Sequence, residues 1–328
     1  MSLSNKDDIQ VSVCVVTYNQ EKYIAECLES LVTQQTSFKF EIIVGEDCST
    51  DGTRAIVQQY VEQYPDLVIP LFHENNVGAV ENVKRVYKAT KGKYIAHMDG
   101  DDYALPYKLQ KQFDVLENNL NCNVCTHNML CVESNGNTNA STNWVYSKGI
   151  YDIFDLYHKL PFFAHSSKMF RNKYSPHFWD NLLNSPIVLD IDIHIENTID
   201  GNIFHLDDFL GCYRIDVGIS FNSGKVNSAL PLGAERVFKK GLSLFENDFE
   251  KYNKIEKLYS IAMMQCAYNY AVFDNDVRMF NEYLNKSKKI ASLGRIHILL
   301  DFANKYPKIF FKLFRLRHQM RKRGIWRK

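Results

Sequence analysis

The chain has 328 residues, 45% of them apolar and 23% charged, which excludes disordered, collagen-like and coiled-coil classes and leaves room for one large α/β domain with an extension. No apolar run reaches the ~18–20 residues that span a bilayer, and residues 1–10 lack the apolar stretch of a secretion signal, so the expectation is a cytoplasmic globular protein. The net charge of +1 hides an asymmetry: residues 302–328 hold ten Lys/Arg and no acid, while the other 301 residues hold 29 Lys/Arg against 38 Asp/Glu. A basic tail on an acidic body points to an anionic surface as its partner.

In chain order, Val11–Val16 is a continuous β-branched run, the mark of a strand buried on both faces. Ile24, Leu28, Leu31 and Val32 follow at helical spacing. A strand is predicted at 40–44, a helix at 53–63, a strand at 67–72, a helix at 79–89 and a strand at 94–98. This alternation predicts a mostly parallel sheet flanked by helices. Polar residues at 135–147 read as a loop and a natural lid. Strand signals fade after about residue 220, where a domain boundary is placed near 222–228. The segments 254–272 and 276–290 read as helices.

Ligands of open α/β sheets bind beyond the carboxyl ends of the strands. Three polar clusters fall there: Thr17-Tyr18-Asn19, Glu46-Asp47-Cys48-Ser49 and Asp99-Gly100-Asp101-Asp102. Three carboxylates in four residues repel one another unless a cation neutralises them, and oxygen ligands suit Mn²⁺ or Mg²⁺. The eight cysteines are expected to be reduced. Cys122, Cys125, His127 and Cys131 have a zinc-like look, but strand alternation over 123–132 points Cys122 and Cys125 to opposite faces, and buried thiols are the preferred reading.

The segments 11–19 (VSVCVVTYN), 40–53 (FEIIVGEDCSTDGT) and 97–102 (HMDGDD) together resemble family 2 glycosyltransferases of the GT-A fold, strongly over residues 10–118 and more weakly over 119–220. The resemblance implies a GT-A domain over 1–222, with a nucleotide-sugar half at 10–102 and an acceptor half at 103–222, followed by a helical region at 223–328. It implies that Tyr18, flanked by Thr17 and Asn19, stacks on the donor base and that Asp47 accepts from the base N–H. Asp99-Gly100-Asp101 is then the DXD motif, Asp99 near the ribose and Asp101 on the metal. Glu46 and Cys48 depart from the family pattern of Asp and Gly.

Residues 188–196 fit helix and strand periodicity equally well. The resemblance implies a helix opened by Asp190, then Gly201, a short strand at 203–206 and Tyr213-Arg214. Asp190 is taken as the general base, with Asp192 as its rival and a helix-capping carboxylate as the alternative for either. Arg214 is a candidate diphosphate clamp, and Asp216 stands where relatives carry a metal- or diphosphate-binding His. His73, Asn75 and Asn76 border the nucleotide side, Lys84 and Arg85 read as a solvated face, and His165-Ser166-Ser167 falls at the acceptor groove.

The expected activity is inverting, metal-dependent transfer from a nucleotide-sugar, UDP-sugar foremost, to a glycan or lipid-linked glycan of a bacterial surface polysaccharide. Transfer to polyprenyl phosphate or protein, and a silent nucleotide-sugar- or glycan-binding module, are the alternatives. In the tail, Ile309, Phe310, Leu313, Phe314 and Leu316 share a helical side among cations, with Trp326 beyond. That pattern suits the anionic inner face of a membrane, or a helix packed on the body, better than nucleic acid.

Overall fold

A computed structural model describes residues 8–133, 137–139, 145–160, 163–182, 184, 190–215, 217 and 225–322. The chain divides into two compact units, Met1–Gly218 and Ile219–Lys328; the boundary expected from the fading strand signals is near 222–228.

In the first unit, β1 (Val11–Thr17), β2 (Phe40–Glu46), β3 (Val68–Phe72) and β4 (Tyr94–Asp99) pair in parallel in the order β3-β2-β1-β4. Helices α1 (Ile24–Val32), α2 (Thr53–Gln63) and α3 (Ala79–Lys88) connect them. Ile24, Cys27, Leu28 and Leu31 line the buried face of α1 against Val13, Val15 and Met98, a stripe set by the i, i+3, i+4, i+7 spacing. The register aligns the strand ends: Thr17 faces Glu46, Glu46 faces Phe72, and Val16 faces Asp99. All three predicted polar clusters therefore sit on one sheet edge.

The second half of the sheet is mixed rather than mostly parallel. It contains β5 (Tyr103–Ala104), β6 (Cys122–Val132), β7 (Thr138–Asn139), β8 (Gly149–Tyr151), β9 (Met169–Arg171) and β10 (Asn202–Arg214). Strand β9 is antiparallel to both β4 and β6, while β10 runs parallel to β6 and antiparallel to β5 and β8. The expected loop at 135–147 contains β7, which pairs with the end of β6; residues 134–136 and 140–144 lie outside the described residues. Helices α4 (Lys108–Asn118), α5 (Ile153–His158), α6 (Pro176–Leu182) and α7 (Asp190–Thr198) complete the unit. Asp190 thus opens a helix, and the longer strand β10 replaces the short one expected at 203–206. Cys122, Cys125 and Cys131 are buried free thiols, and His127 Nδ1 is engaged by the Asn128 carbonyl at 2.9 Å.

The second unit is helical: α8 (Ala229–Leu244), α9 (Phe249–Asn269) continued by a π turn at Tyr270–Asp274, α10 (Val277–Ile290), α11 (Arg295–Lys305) and α12 (Pro307–Lys322). Asp276 caps α10 by accepting from Met279 N at 2.9 Å. Helix α12 packs through Phe311, whose ring lies 5.1 Å from that of Phe280, and through Phe314 against Tyr268. The buried seam therefore runs through Phe311, and Ile309, Leu313 and Leu316 remain exposed, which splits the apolar side expected from sequence. Trp326 and the last cations lie outside the described residues. No described helix is long and apolar enough to cross a membrane.

Candidate active site

The edge formed by the ends of β1, β2 and β4 is braced by side chains of the first two clusters. Asn19, at φ 53°, accepts from Thr50 N at 2.8 Å and donates its backbone N–H to Ser49 Oγ at 2.9 Å. Thr17 Oγ1 donates to Gln20 Oε1 at 2.8 Å, and the Thr17 carbonyl accepts from Asp47 N. Tyr18 stands out of this framework with 41% of its surface exposed. Glu46 is buried and pairs with Arg54, which also donates to the His73 carbonyl. Cys48 adopts φ 57°, a left-handed turn in which the glycine of the family pattern is the easier residue.

Asp47 is nearly fully buried, and its two oxygens accept from Val77 N at 2.7 Å and Gly78 N at 2.9 Å. The carboxylate therefore latches the loop that leads into α3. His73 bonds Asn82 Oδ1 at 3.0 Å and is a core residue rather than a rim residue. Lys84 and Arg85 pair with Glu81, as a solvated face would.

The acidic cluster closes the edge. Gly100 is required there because a Cβ would lie 2.5 Å from Gln20 Oε1 and 2.9 Å from Thr17 Cβ. Asp99 accepts from Ser166 Oγ and from His97 Nε2, both at 3.2 Å, and its backbone N–H donates to the same Ser166 oxygen at 3.0 Å. Burial disfavours its charge, but the His97 and Ser166 hydrogen bonds hold it below the ordinary carboxylate range. His97 itself is kept neutral by burial. Asp101 is pushed up to about 6 by burial and by the charge of Asp99. Asp102 rises well above its usual range through burial and its two acidic neighbours. Its Oδ1 accepts from Arg214 N at 3.0 Å, while Oδ2 is buried without a hydrogen-bond donor among the described residues.

This arrangement fits a hard divalent cation. The donors are all oxygens, Asp102 Oδ2 beside them has no partner among the described residues, and the carboxylates are crowded enough that two have lost acidity. Asp99 and Asp101 are the residues that would hold Mn²⁺ or Mg²⁺. Asp216, the third ligand candidate, lies outside the described residues.

Around the acids stand groups that the sequence reading passed over. Lys108 is fully buried, donates to the Ser166 carbonyl at 2.7 Å, and is lowered to about 8 by burial. Lys168 is also fully buried, has no hydrogen-bond acceptor for Nζ among the described residues, and is lowered to about 7, with Asp190 and Asp99 as the nearest opposing charges.

Half-buried Asp190 has its charge disfavoured by burial and favoured by Lys168, with a net upward shift. The charges of Asp99 and Asp192 both act on it, and that of Asp192 also bears on Tyr157. His165, in the 3₁₀ turn His165–Ser167, faces His194 of α7, with Nδ1 3.2 Å from Nε2. Arg214 pairs with Glu26, and its guanidinium lies 4.7 Å from the Tyr23 ring and 5.5 Å from the Tyr103 ring.

Comparison with known proteins bears on this edge. The profile of glycosyl transferase family 2 matches residues 12–178. An uncharacterized protein of Mycobacterium tuberculosis is 30% identical over 208 residues, 62% of this chain and 58% of its own. TuaG of Bacillus subtilis, named as a teichuronic acid biosynthesis glycosyltransferase, is 37% identical over 106 residues, 32% of this chain and 41% of its own. The chain thus spans about 58% of the first of these relatives. Among solved structures, S. aureus TarS 1–349 in complex with UDP-GlcNAc matches with a TM-score of 0.62 at 19% identity, covering 96% of this chain and 92% of that one. The fold is the GT-A arrangement with a helical C-terminal region.

Proposed function

The chain belongs to glycosyl transferase family 2, and from that premise we propose that it moves a sugar from a nucleoside-diphosphate donor, UDP-sugar foremost, to a glycan or lipid-linked glycan acceptor in bacterial surface polysaccharide synthesis. The observation that carries this reading is the convergence of Asp99, Asp101, Asp102 and Asp190 on one sheet edge beside exposed Tyr18. The UDP-GlcNAc bound by TarS, which shares the fold, supports the choice of donor class.

In this reading Tyr18 offers a stacking face to the base. Asp47 offers the second lone pairs of its oxygens to the base N–H while its first pairs hold residues 77–78. Asp99 and Asp101 would hold a divalent cation, which when bound would neutralise charge on the leaving diphosphate. Arg214 exchanges Glu26 for a diphosphate oxygen, its guanidinium kept level by Tyr23 and Tyr103.

Asp190 takes the proton of the acceptor hydroxyl as that oxygen attacks the anomeric carbon. Its raised pKa makes it a better base than a surface carboxylate. A single displacement inverts the anomeric configuration and needs no covalent nucleophile. Asp190 is preferred to Asp192 because it stands within the field of Asp99 and Lys168.

The test is a thermal-shift panel of UDP, GDP, CDP, ADP and dTDP with Mn²⁺ or EDTA, followed by turnover assays. Metal-dependent stabilisation by UDP that is lost in Asp101→Asn, and kept in Asp190→Asn without transfer, is the expected result. No metal-dependent preference for any nucleotide would overturn the donor site and favour a glycan-binding role.

Membrane contact belongs to the same reading. Ile298, Leu299 and Phe302 of α11 and Ile309, Leu313 and Leu316 of α12 are each more than half exposed and interleave with Lys305, Lys308 and Lys312. Apolar residues at helical spacing among cations suit an anionic lipid surface. Sedimentation with phosphatidylglycerol vesicles, but not with phosphatidylcholine vesicles, is expected. Binding to both or to neither would remove the membrane from the proposal.

A further inference from the structure

We infer that His165, His194 and Asp190 form a second metal site, selective for a borderline transition cation such as Zn²⁺ and separate from the Asp99–Asp101 carboxylates. The three side chains offer ligand atoms that all lie within 4.8 Å of one another. Asp190 and His194 are four residues apart at the start of α7, which puts them on one helical face one turn apart. His165 comes from a different element, so the site is closed by the fold and not by a local acidic turn.

The spacing is that of a metal edge. Two ligand atoms about 2.0–2.1 Å from a tetrahedral Zn²⁺ stand roughly 3.3–3.4 Å apart. His165 Nδ1 and His194 Nε2 are 3.2 Å apart. Burial keeps both imidazoles well below their ordinary range, so both are neutral; one of the two facing nitrogens carries the proton of their mutual hydrogen bond, and a metal would take both in the tautomers that hold each proton on the far nitrogen. Two imidazoles and one carboxylate select against Mg²⁺ and in favour of Zn²⁺ or Co²⁺, and the fourth position is left to water.

The charged groups facing the cluster include Lys168, which opposes a cation, and Asp99 and Asp192, which favour one, while the titratable His97 acts on both imidazoles. This electrostatic setting gives the site a signature: removal of the Lys168 charge must tighten it. The consequence for turnover rests on the proposed role of Asp190. A cation that holds this carboxylate removes the base, so Zn²⁺ inhibits transfer even when Mn²⁺ saturates the other site.

The experiment uses the full chain, stripped with EDTA and titrated with Co²⁺ while the visible d–d bands are followed. Bands that Zn²⁺ displaces, that persist in Asp101→Asn, and that need at least tenfold more Co²⁺ in His165→Gln are expected. His165→Gln is preferred because His194 is fully buried and its loss threatens the fold; circular dichroism checks the variant. Lys168→Met is expected to bind Co²⁺ at least threefold more tightly. The proposal is overturned by absent bands, by bands unchanged in His165→Gln, by bands lost only with Asp101, or by equal or looser binding in Lys168→Met. The readout needs no turnover, so a wild type that keeps the Co²⁺ bands while Asp190→Asn, assayed with Mn²⁺, still transfers sugar would refute Asp190 as base and leave the metal site standing.

Discussion

Ser166 binds Asp99 twice: its hydroxyl oxygen accepts from the Asp99 backbone N–H at 3.0 Å and its proton is directed to Asp99 Oδ2 at 3.2 Å. One buried hydroxyl thus fixes both the strand end and the carboxylate that ends it. Ser166→Ala leaves a backbone donor and a carboxylate oxygen short of partners in the interior, a loss of about 1–3 kcal/mol. Urea denaturation is expected to show that loss with an unchanged slope, together with weaker metal-dependent nucleotide binding.

Asp47 is held by two backbone N–H groups, and its removal should be felt as stability as well as affinity. Asp47→Ala is expected to cost about 2 kcal/mol or more, because Val77 and Gly78 lose their acceptor. Asp47→Asn retains one acceptor oxygen and is expected to cost about half as much. Stability of Asp47→Ala equal to that of wild type in urea would show that the latch contributes nothing.

Lys168 sets a pH dependence with a definite sign. Burial lowers its folded-state value from 10.5 to about 7, while the unfolded chain keeps the ordinary value. Between about pH 7 and 10.5 the unfolded state binds more protons, so this group's contribution makes the protein more stable as pH rises through that window. Below pH 7 the full cost of the buried charge is present. Lys168→Met is expected to melt higher than wild type at pH 6, with the gap shrinking toward pH 10, in scanning calorimetry at constant ionic strength.

Cys48 occupies a left-handed conformation at φ 57°. A non-glycine residue there costs about 1–2 kcal/mol, and glycine returns part of that gain through its freer unfolded chain. Cys48→Gly is expected to raise stability by about 0.5–1 kcal/mol, read as a higher denaturation midpoint. A lower midpoint would mean that the Sγ contact with the Glu74 carbonyl, at 3.4 Å, outweighs the backbone strain.

The parts legible in the sequence were those written locally. Val11–Val16 reads as a buried strand because every residue is apolar or small, and the acids at 99–102 follow a strand directly. Helix α7 became readable only through its resemblance to relatives, since 188–196 satisfies two periodicities at once. What stayed hidden was non-local. Lys108 shows no local partner in the sequence, because its acceptor is 58 residues away at Ser166. Asp47 shows no local partner because its donors are 30 and 31 residues on. In α12 both sides of the helix carry aromatics, and only packing against Phe280 decides that Phe311 turns inward.

The hydrogen-bond chain behind Asp99 has one possible direction. A neutral His97 that donates from Nε2 to Asp99 must accept at Nδ1, where Tyr87 Oη stands 3.0 Å away, so the phenol donates. Burial pushes Tyr87 well above the ordinary tyrosine range, and it does not surrender that proton. The chain therefore acts as a rectifier: it polarises Asp99 and holds it still, but has no proton to send forward. As the surroundings acidify, Asp99 can be neutralised only from the solvent side, through the space that a bound donor would fill. A seated donor would then shield the acid beneath it.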